Sequence, residues 1–269
     1  DGDGADELIA RSIDRAFVFD ATDGALRWAE PLGEMGTIGD VRLADVDGRP
    51  GRELIAQECY CCQLRSTTPG AVWSFADGWA GARRLWVLPS SACAGPRQMQ
   101  VTDATGDGAL EFVLATHTDL RLLDAATGAP VASSGNLGEW LTTAYCEAVD
   151  LLPGAGDELA CWLGSTLRAP GTGHRVFVLQ HRTGPARLDV VWSTDVGDRD
   201  ADLPMGSDRI ADLDLDGARE LLATGVATSG DPVTTILDAT TGAVLTTIPG
   251  QQHVAALTPT ATSAVLVTQ

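Results

Sequence analysis

Several short stretches of this chain set acidic side chains at alternate positions beside glycine. One reads ArgIleAlaAspLeuAspLeuAspGlyAlaArgGluLeuLeuAla from Arg209 to Ala223; another reads ValThrAspAlaThrGlyAspGlyAlaLeuGluPheValLeuAla from Val101 to Ala115. A third, from Val41 to Ala56, contains AspValAspGly followed by ArgGluLeuIleAla, and the chain opens on AspGlyAspGlyAlaAspGluLeuIleAla. Val149 to Ala160 is a degenerate fifth copy that keeps Asp150 and Glu158. Carboxylates at alternate positions of a tight turn, with glycine where the backbone reverses, supply what a hard divalent cation needs. Calcium takes six to eight oxygens at about 2.3 to 2.6 Å. Crowded into nine or so residues without an ion, the same carboxylates would repel one another.

Each acidic turn lies between two apolar β-prone runs and is closed by a glutamate: Glu7, Glu53, Glu111, Glu158 and Glu220. Their spacing, roughly 50 residues, is what four short strands with their turns require. A second signature recurs between the acidic turns, PheAspAlaThrAspGly at Phe19 to Gly24, LeuAspAlaAlaThrGly at Leu123 to Gly128 and LeuAspAlaThrThrGly at Leu237 to Gly242. An Asp-to-Gly turn between apolar runs signals a hairpin. Every unit is therefore expected to hold an inner hairpin around the acidic turn and an outer hairpin around the AspAlaXaaThrGly turn. Helical periodicity is absent from these units, whose strands alternate weakly and are bounded by Gly, Pro, Asp and Thr. The fold class expected is all-β: a β-propeller of four-stranded antiparallel blades, which buries blade faces against one another and leaves only short edges. A single domain over 1–269 divides into repeats at about 1–39, 40–97, 98–144, 145–206 and 207–252, with a partial sixth at 253–269.

These turns resemble the FG-GAP/VCBS repeat, whose hallmark AspXaaAspGlyAspGlyXaaXaaAsp/Glu joins the first two strands of a propeller blade, as in integrin-alpha N-terminal-like domains. The resemblance extends over nearly the whole chain. It implies calcium ligation by the side chains at positions 1, 3, 5 and 9 of each loop. Carried over, that means Asp212, Asp214, Asp216 and Glu220; Asp103, Thr105, Asp107 and Glu111; and Asp45, Asp47 and Glu53, where Arg49 takes position 5. Asp1, Asp3 and Glu7 match positions 3, 5 and 9, so the first blade is expected to begin before residue 1. No metal is expected at Asp150 and Glu158. The complete domain would have six or seven blades and be incomplete here at both ends.

Composition narrows the functional classes. There are 37 acidic residues against 18 basic ones, a formal charge of −19, so a phosphate backbone would be repelled and nucleic acid is not an expected partner. Nothing approaches the run of about 18 apolar residues that spans a bilayer, so membrane insertion is not expected either. Six cysteines allow up to three disulfides and point to an oxidising compartment: secretion, the cell surface or the periplasm. Cys146 and Cys161 flank one acidic turn on adjacent strands; Cys59 with Cys93 and Cys61 with Cys62 are the remaining candidate pairs. A soft-metal site at Cys59 to Cys62 would match no standard zinc spacing.

Seven tryptophans are expected chiefly to fill the wedges between blades, with Trp79 and Trp140, in Gly-rich segments, more exposed. His117, His174, His181 and His253 lie far apart and carry no metal spacing. The loop with Asp195, Asp198, Asp200 and Asp202 reads as solvated. No GlyXaaSerXaaGly elbow anchors a triad, and most paired carboxylates belong to the repeated turns. The expected function is a calcium-stabilised extracellular module that presents its loop faces to protein or polysaccharide. The catalytic alternatives are a polysaccharide lyase or a quinoprotein-type oxidoreductase, the latter because AspAlaThrAspGlyAlaLeuArgTrp at Asp20 to Trp28 resembles the blade motif of such propellers. A structural subunit of a surface appendage is the third reading.

Overall fold

The computed structural model describes residue 4 and residues 6–12, 15–31, 37–49, 51–59, 70–87, 100–116, 118–137, 143–164, 175–184, 186–197, 209–227, 229–250, 254–255 and 267–268. Its first unit pairs β1 (Glu7–Arg11), β2 (Arg15–Asp20) and β3 (Leu26–Pro31) in sequence order. The second is a meander of β4 (Thr37–Ala44), β5 (Glu53–Cys59), β6 (Gly70–Ser74) and β7 (Arg83–Val87). The third holds β8 (Gln100–Thr102), β9 (Glu111–Ala115), β10 (Leu120–Asp124) and β11 (Pro130–Ser133); the fourth holds β12 (Thr143–Val149), β13 (Glu158–Gly164), β14 (Arg175–Arg182) and β15 (Arg187–Asp195). A fifth meander comprises β16 (Ile210–Ala211), β17 (Glu220–Val226), β18 (Pro232–Asp238) and β19 (Val244–Pro249), and the short β20 (Val254–Ala255) pairs with β21 (Val267–Thr268). Pairing within every meander is antiparallel; one parallel contact, Ser133 to Arg187, joins the outermost strands of the third and fourth units into a continuous sheet.

Both hairpin types fall where their turn residues demand. In the outer turns the aspartate carboxylate accepts a backbone N–H two or three residues on: Thr22 to Asp20, Thr127 to Asp124 and Thr241 to Asp238, each 2.7 Å. Such Asx turns are why aspartate opens the motif. Gly24, Gly128 and Gly242 close it at φ +71°, +73° and +73°, a backbone state that side-chain-bearing residues avoid. All five outer hairpins also slip register at one equivalent place, after Val18, Val72, Leu122, Val178 and Ile236. A recurrent bulge of this kind increases the local twist.

In the second to fifth units the strand that follows the acidic turn is buried on both faces, which explains why alternation is so weak there in the sequence. In β9, Phe112 and Leu114 pack with Ile55, Val72 and Trp86 of the second unit, while Val113 and Ala115 pack with Leu159, Cys161 and Phe177 of the fourth. Tryptophans fill the seams as expected. Trp86 donates its Nε1–H to the Ala125 carbonyl at 2.8 Å, and Trp192 donates to the Ala239 carbonyl at 3.1 Å. Trp28 meets Trp73 and Phe75 edge-on at 5.8 and 5.1 Å. Trp79 departs from expectation: it is half-buried, its ring 4.9 Å from Phe75, because a short 3₁₀ turn over Trp79–Gly81 folds it back on the seam between the first two units. Trp140 lies outside the described residues.

The one disulfide among the described residues joins Cys146 on β12 to Cys161 on β13, directly paired and buried in the core between the third and fourth units. Cys61, Cys62 and Cys93 lie outside the described residues, as does the side chain of Cys59.

Two turn carboxylates give the fold an acid sensitivity. The Thr22 hydroxyl and the Arg27 guanidinium hold Asp20 well below the usual carboxylate range. Burial pushes Asp119 up, but Arg121, the Thr116 hydroxyl and Ser133 outweigh it and leave the group below its ordinary value of 3.8. A group depressed in the folded state stabilises above its unfolded pKa, and that contribution disappears as pH falls through the folded one. Stability measured by urea unfolding should therefore fall as pH drops below 3.8, and Asp119→Asn should flatten the dependence there.

Candidate metal centres in the acidic turns

In the second to fifth units the acidic turn is built around its closing glutamate, the first residue of the second strand. Its carboxylate points back under the turn and accepts a backbone N–H: Val46 to Glu53 at 2.8 Å, Thr105 to Glu111 at 3.1 Å, Leu151 and Leu152 to Glu158 at 2.9 Å, and Leu213 to Glu220 at 2.6 Å. Glu53, Glu111, Glu158 and Glu220 are all buried. Buried carboxylates are costly unless paired. Burial pushes Glu111 and Glu220 above the ordinary carboxylate pKa; at Glu220 the charges of Asp214, Asp212 and Asp216 push further. A divalent cation would relieve that crowding.

The turns are not equal in this respect. At the fifth unit Asp212, Asp214 and Asp216 each bring an oxygen within 4.8 Å of the others. Asp212 Oδ2 accepts the Gly217 N–H at 3.1 Å, while its buried Oδ1 has no hydrogen-bond partner. In the second unit Asp45, Asp47 and Glu53 form a similar set, and here Asp47 Oδ2 and Glu53 Oε1 are the buried oxygens without hydrogen-bond partners. Arg49 does not enter this cluster: its side chain reaches Asp77 at 3.1 Å and only its backbone N–H turns to Asp47, at 3.0 Å. Arg83, at 3.8 Å, is the cation beside Asp47 Oδ2. Inward oxygens lacking protein donors, in an all-oxygen set, suit calcium.

At the third unit Asp103, Asp107 and Glu111 do not gather into such a set among the described residues. Asp103 instead accepts three backbone N–H groups, from Gly106 at 2.7 Å, Asp107 at 3.1 Å and Gly108 at 2.9 Å, and Thr105 bonds Glu111 through both its N–H and its hydroxyl. This turn also lies directly against its neighbour in the fourth unit. A Cβ on Gly106 would lie 2.4 Å from the Ala155 carbonyl carbon, and one on Gly156 2.6 Å from the Ala104 oxygen, so the two turns interlock backbone against backbone. In the fourth unit Gln180 donates to Glu158 Oε1 at 2.9 Å, supplying as an amide what a cation would supply. Nothing in the local motif signals Gln180, which lies 22 residues from its partner.

Glu7 opens β1; Asp1 and Asp3 lie outside the described residues. Asp195 pairs with Arg175 at 2.6 Å, whereas Asp198, Asp200 and Asp202 lie outside the described residues. Of the histidines only His181, on β14, falls within them. The sequence also gave no warning of Arg209, buried with its guanidinium 4.0 Å from the Tyr145 ring centre and 5.1 Å from that of Trp162. Beside the second acidic turn a cavity of about 710 Å³ opens between the first two units, lined by Asp6, Glu7, Asp45, Arg52, Phe75 and Trp79 among others.

No protein-family model and no curated protein matches this sequence. Solved structures do resemble it in fold. The β-propeller domain of Cps50 (Swd1) from Myceliophteria thermophila is 13% identical at a TM-score of 0.51, the match covering 93% of this chain and 72% of that one. Sqt1 of Saccharomyces cerevisiae is 13% identical at 0.57, over 94% of this chain and 64% of its own. The C-terminal domain of PilY1 from Pseudomonas aeruginosa is 14% identical at 0.53, over 89% and 58%. At such identities the likeness defines the fold alone: this chain is a β-propeller.

Proposed function

We propose that this chain is a calcium-stabilised β-propeller of the FG-GAP/VCBS type that works outside the cytosol as a binding or scaffolding module for a protein or polysaccharide. The observation that carries the reading is the pair of clusters Asp45, Asp47, Glu53 and Asp212, Asp214, Asp216, which gather carboxylates whose buried oxygens include several that accept no hydrogen bond among the described residues. Asp212, Asp214, Asp216 and Glu220 would hold one ion, and Asp45, Asp47 and Glu53 another. The ion's part is to neutralise charge and lock the inner hairpin, with no step of chemistry passing through it. The carboxylates of these turns also hold backbone N–H groups, which suits a framework rather than acid–base work. The buried disulfide supports an oxidising compartment. The loops and the cavity by Trp79, where an aromatic ring meets carboxylates, offer a contact surface for a partner.

Titration calorimetry with calcium chloride tests the metal reading directly. Two sites are expected in the wild-type chain, with affinities of about 10⁻⁴ to 10⁻³ M if they resemble other extracellular modules. Asp214→Asn should remove one and leave the other. Heat indistinguishable from dilution would refute the reading.

A further inference from the structure

The residue following the closing glutamate occupies one register position in all five units. Leu54, Phe112, Leu159 and Leu221 are each 0% exposed there, against 61% for Leu8. Their cross-strand partners Trp73, Leu123, Leu179 and Leu237 are likewise buried by the preceding unit, whereas Phe19, the partner of Leu8, is only half-buried. Leu26, opposite Phe19 on the next strand, is 53% exposed. Leu8, Phe19 and Leu26 thus form an apolar row across the first blade, on the face turned away from the second.

The turn beside that row repeats the pattern. Trp86 of the second blade lies against Gly128 of the third, with ring carbon Cε3 2.6 Å from where a Cβ would stand, and Trp192 of the fourth lies at 2.4 Å from the same point on Gly242 of the fifth. Each indole N–H is donated to the carbonyl of the residue that directly follows the turn's opening aspartate, Ala125 or Ala239. Gly24 has nearly the same φ, within a turn of the same sequence type, yet nothing among the described residues lies within 4 Å of its Cβ position. Ala21 is the residue equivalent to Ala125 and Ala239.

We propose that this face of the first blade is a docking surface for a further β-blade whose outermost strand carries a tryptophan. The indole stacks on Gly24 and donates its N–H to the Ala21 carbonyl, while aliphatic side chains cover Leu8, Phe19 and Leu26. A second copy of this chain is a poor occupant. The equivalent outer-strand positions hold Trp28, Trp86 and Trp192, all seated within the chain, and otherwise Ala132 and Thr246. The inference is independent of the calcium reading.

The test titrates a head-to-tail cyclised hairpin copying residues 175–196, which carries Trp192, into the isotope-labelled full chain. Saturable amide shifts are expected at Leu8, Phe19 and Gly24, with affinity lowered about tenfold or more, the span of one lost anchor contact, by Trp192→Ala in the hairpin or Leu8→Lys in the chain. As a second measurement, a chain with residues 143–197 duplicated ahead of residue 1 should show slowed hydrogen exchange at Leu8 and Phe19, reversed by Trp192→Ala in the added copy. Equal binding by both hairpins, or no change in either measurement, overturns the proposal. So does sedimentation showing a dimer that Leu8→Lys dissolves, since a second copy would then cover the face.

Discussion

At a hundredfold excess of calcium over its Kd, chelation is expected to lower the melting temperature by about 10 to 20 °C, and restoring calcium, but not magnesium at equal ionic strength, should bring it back. A ligand that binds only the folded chain adds about 2.7 kcal/mol per site at a hundredfold excess over its Kd. On the calcium reading two turns would each hold one ion, at Asp45 to Glu53 and at Asp212 to Glu220. For a chain of this size each kcal/mol is worth about 2 to 4 °C. The magnesium control matters because a chain of charge −19 gains from any screening cation, while magnesium demands a smaller, near-octahedral set of oxygens. Asp212→Asn should remove part of the calcium response by taking away the carboxylate whose Oδ1 has no protein partner. Asp107→Asn, in the turn whose oxygens are not gathered, should remove far less. A melting temperature indifferent to chelation would sink the calcium reading and leave the propeller fold untouched.

Reduction of the Cys146–Cys161 disulfide is the second change with a large expected effect. The bond closes a loop with a sequence separation of 15, for which chain-entropy arguments give about 3 kcal/mol. Its setting adds meaning to the number. The fourth unit is the one whose turn keeps only Asp150 and Glu158 and satisfies the glutamate with Gln180. A covalent cross-strand tie therefore clamps the inner hairpin that lacks the carboxylates for an ion. The double substitution Cys146→Ala with Cys161→Ala should lower the free energy of unfolding by more than that amount, since both sulfurs also help fill the seam with the third unit. It should leave calcium binding elsewhere intact. Unfolding in denaturant that is unchanged by the double substitution would contradict this account.

Much of the architecture could be read from residues alone because its determinants are local. An aspartate that caps its own turn, a glycine at positive φ and a glutamate that reaches back under the turn act within about ten residues, so each leaves a motif that repeats whenever the unit repeats. The hairpins, their order and the Cys146–Cys161 pair follow from such signals. Expecting Trp79 to be exposed failed because a glycine-rich segment says nothing about the seam onto which it folds.

Which turns collect their carboxylates was decided elsewhere. Asp45, Asp47 and Glu53 gather although Arg49 interrupts their motif, since that side chain finds Asp77 on the outer hairpin of the same unit. Asp103 and Asp107 keep a better motif but form no such set among the described residues, Asp103 being taken up by three backbone N–H groups of a turn that interlocks with its neighbour at Gly106 and Gly156. The sequence by itself determined the repeated unit, its two kinds of turn and the chemical type of the acidic ones. Only the tertiary structure decided which acidic turn gathers its carboxylates, which tryptophan meets which glycine and which blade face is left exposed among the described residues. Those outcomes depend on contacts between units some 50 residues apart, and a short-range pattern carries no information about what the next blade will press against it.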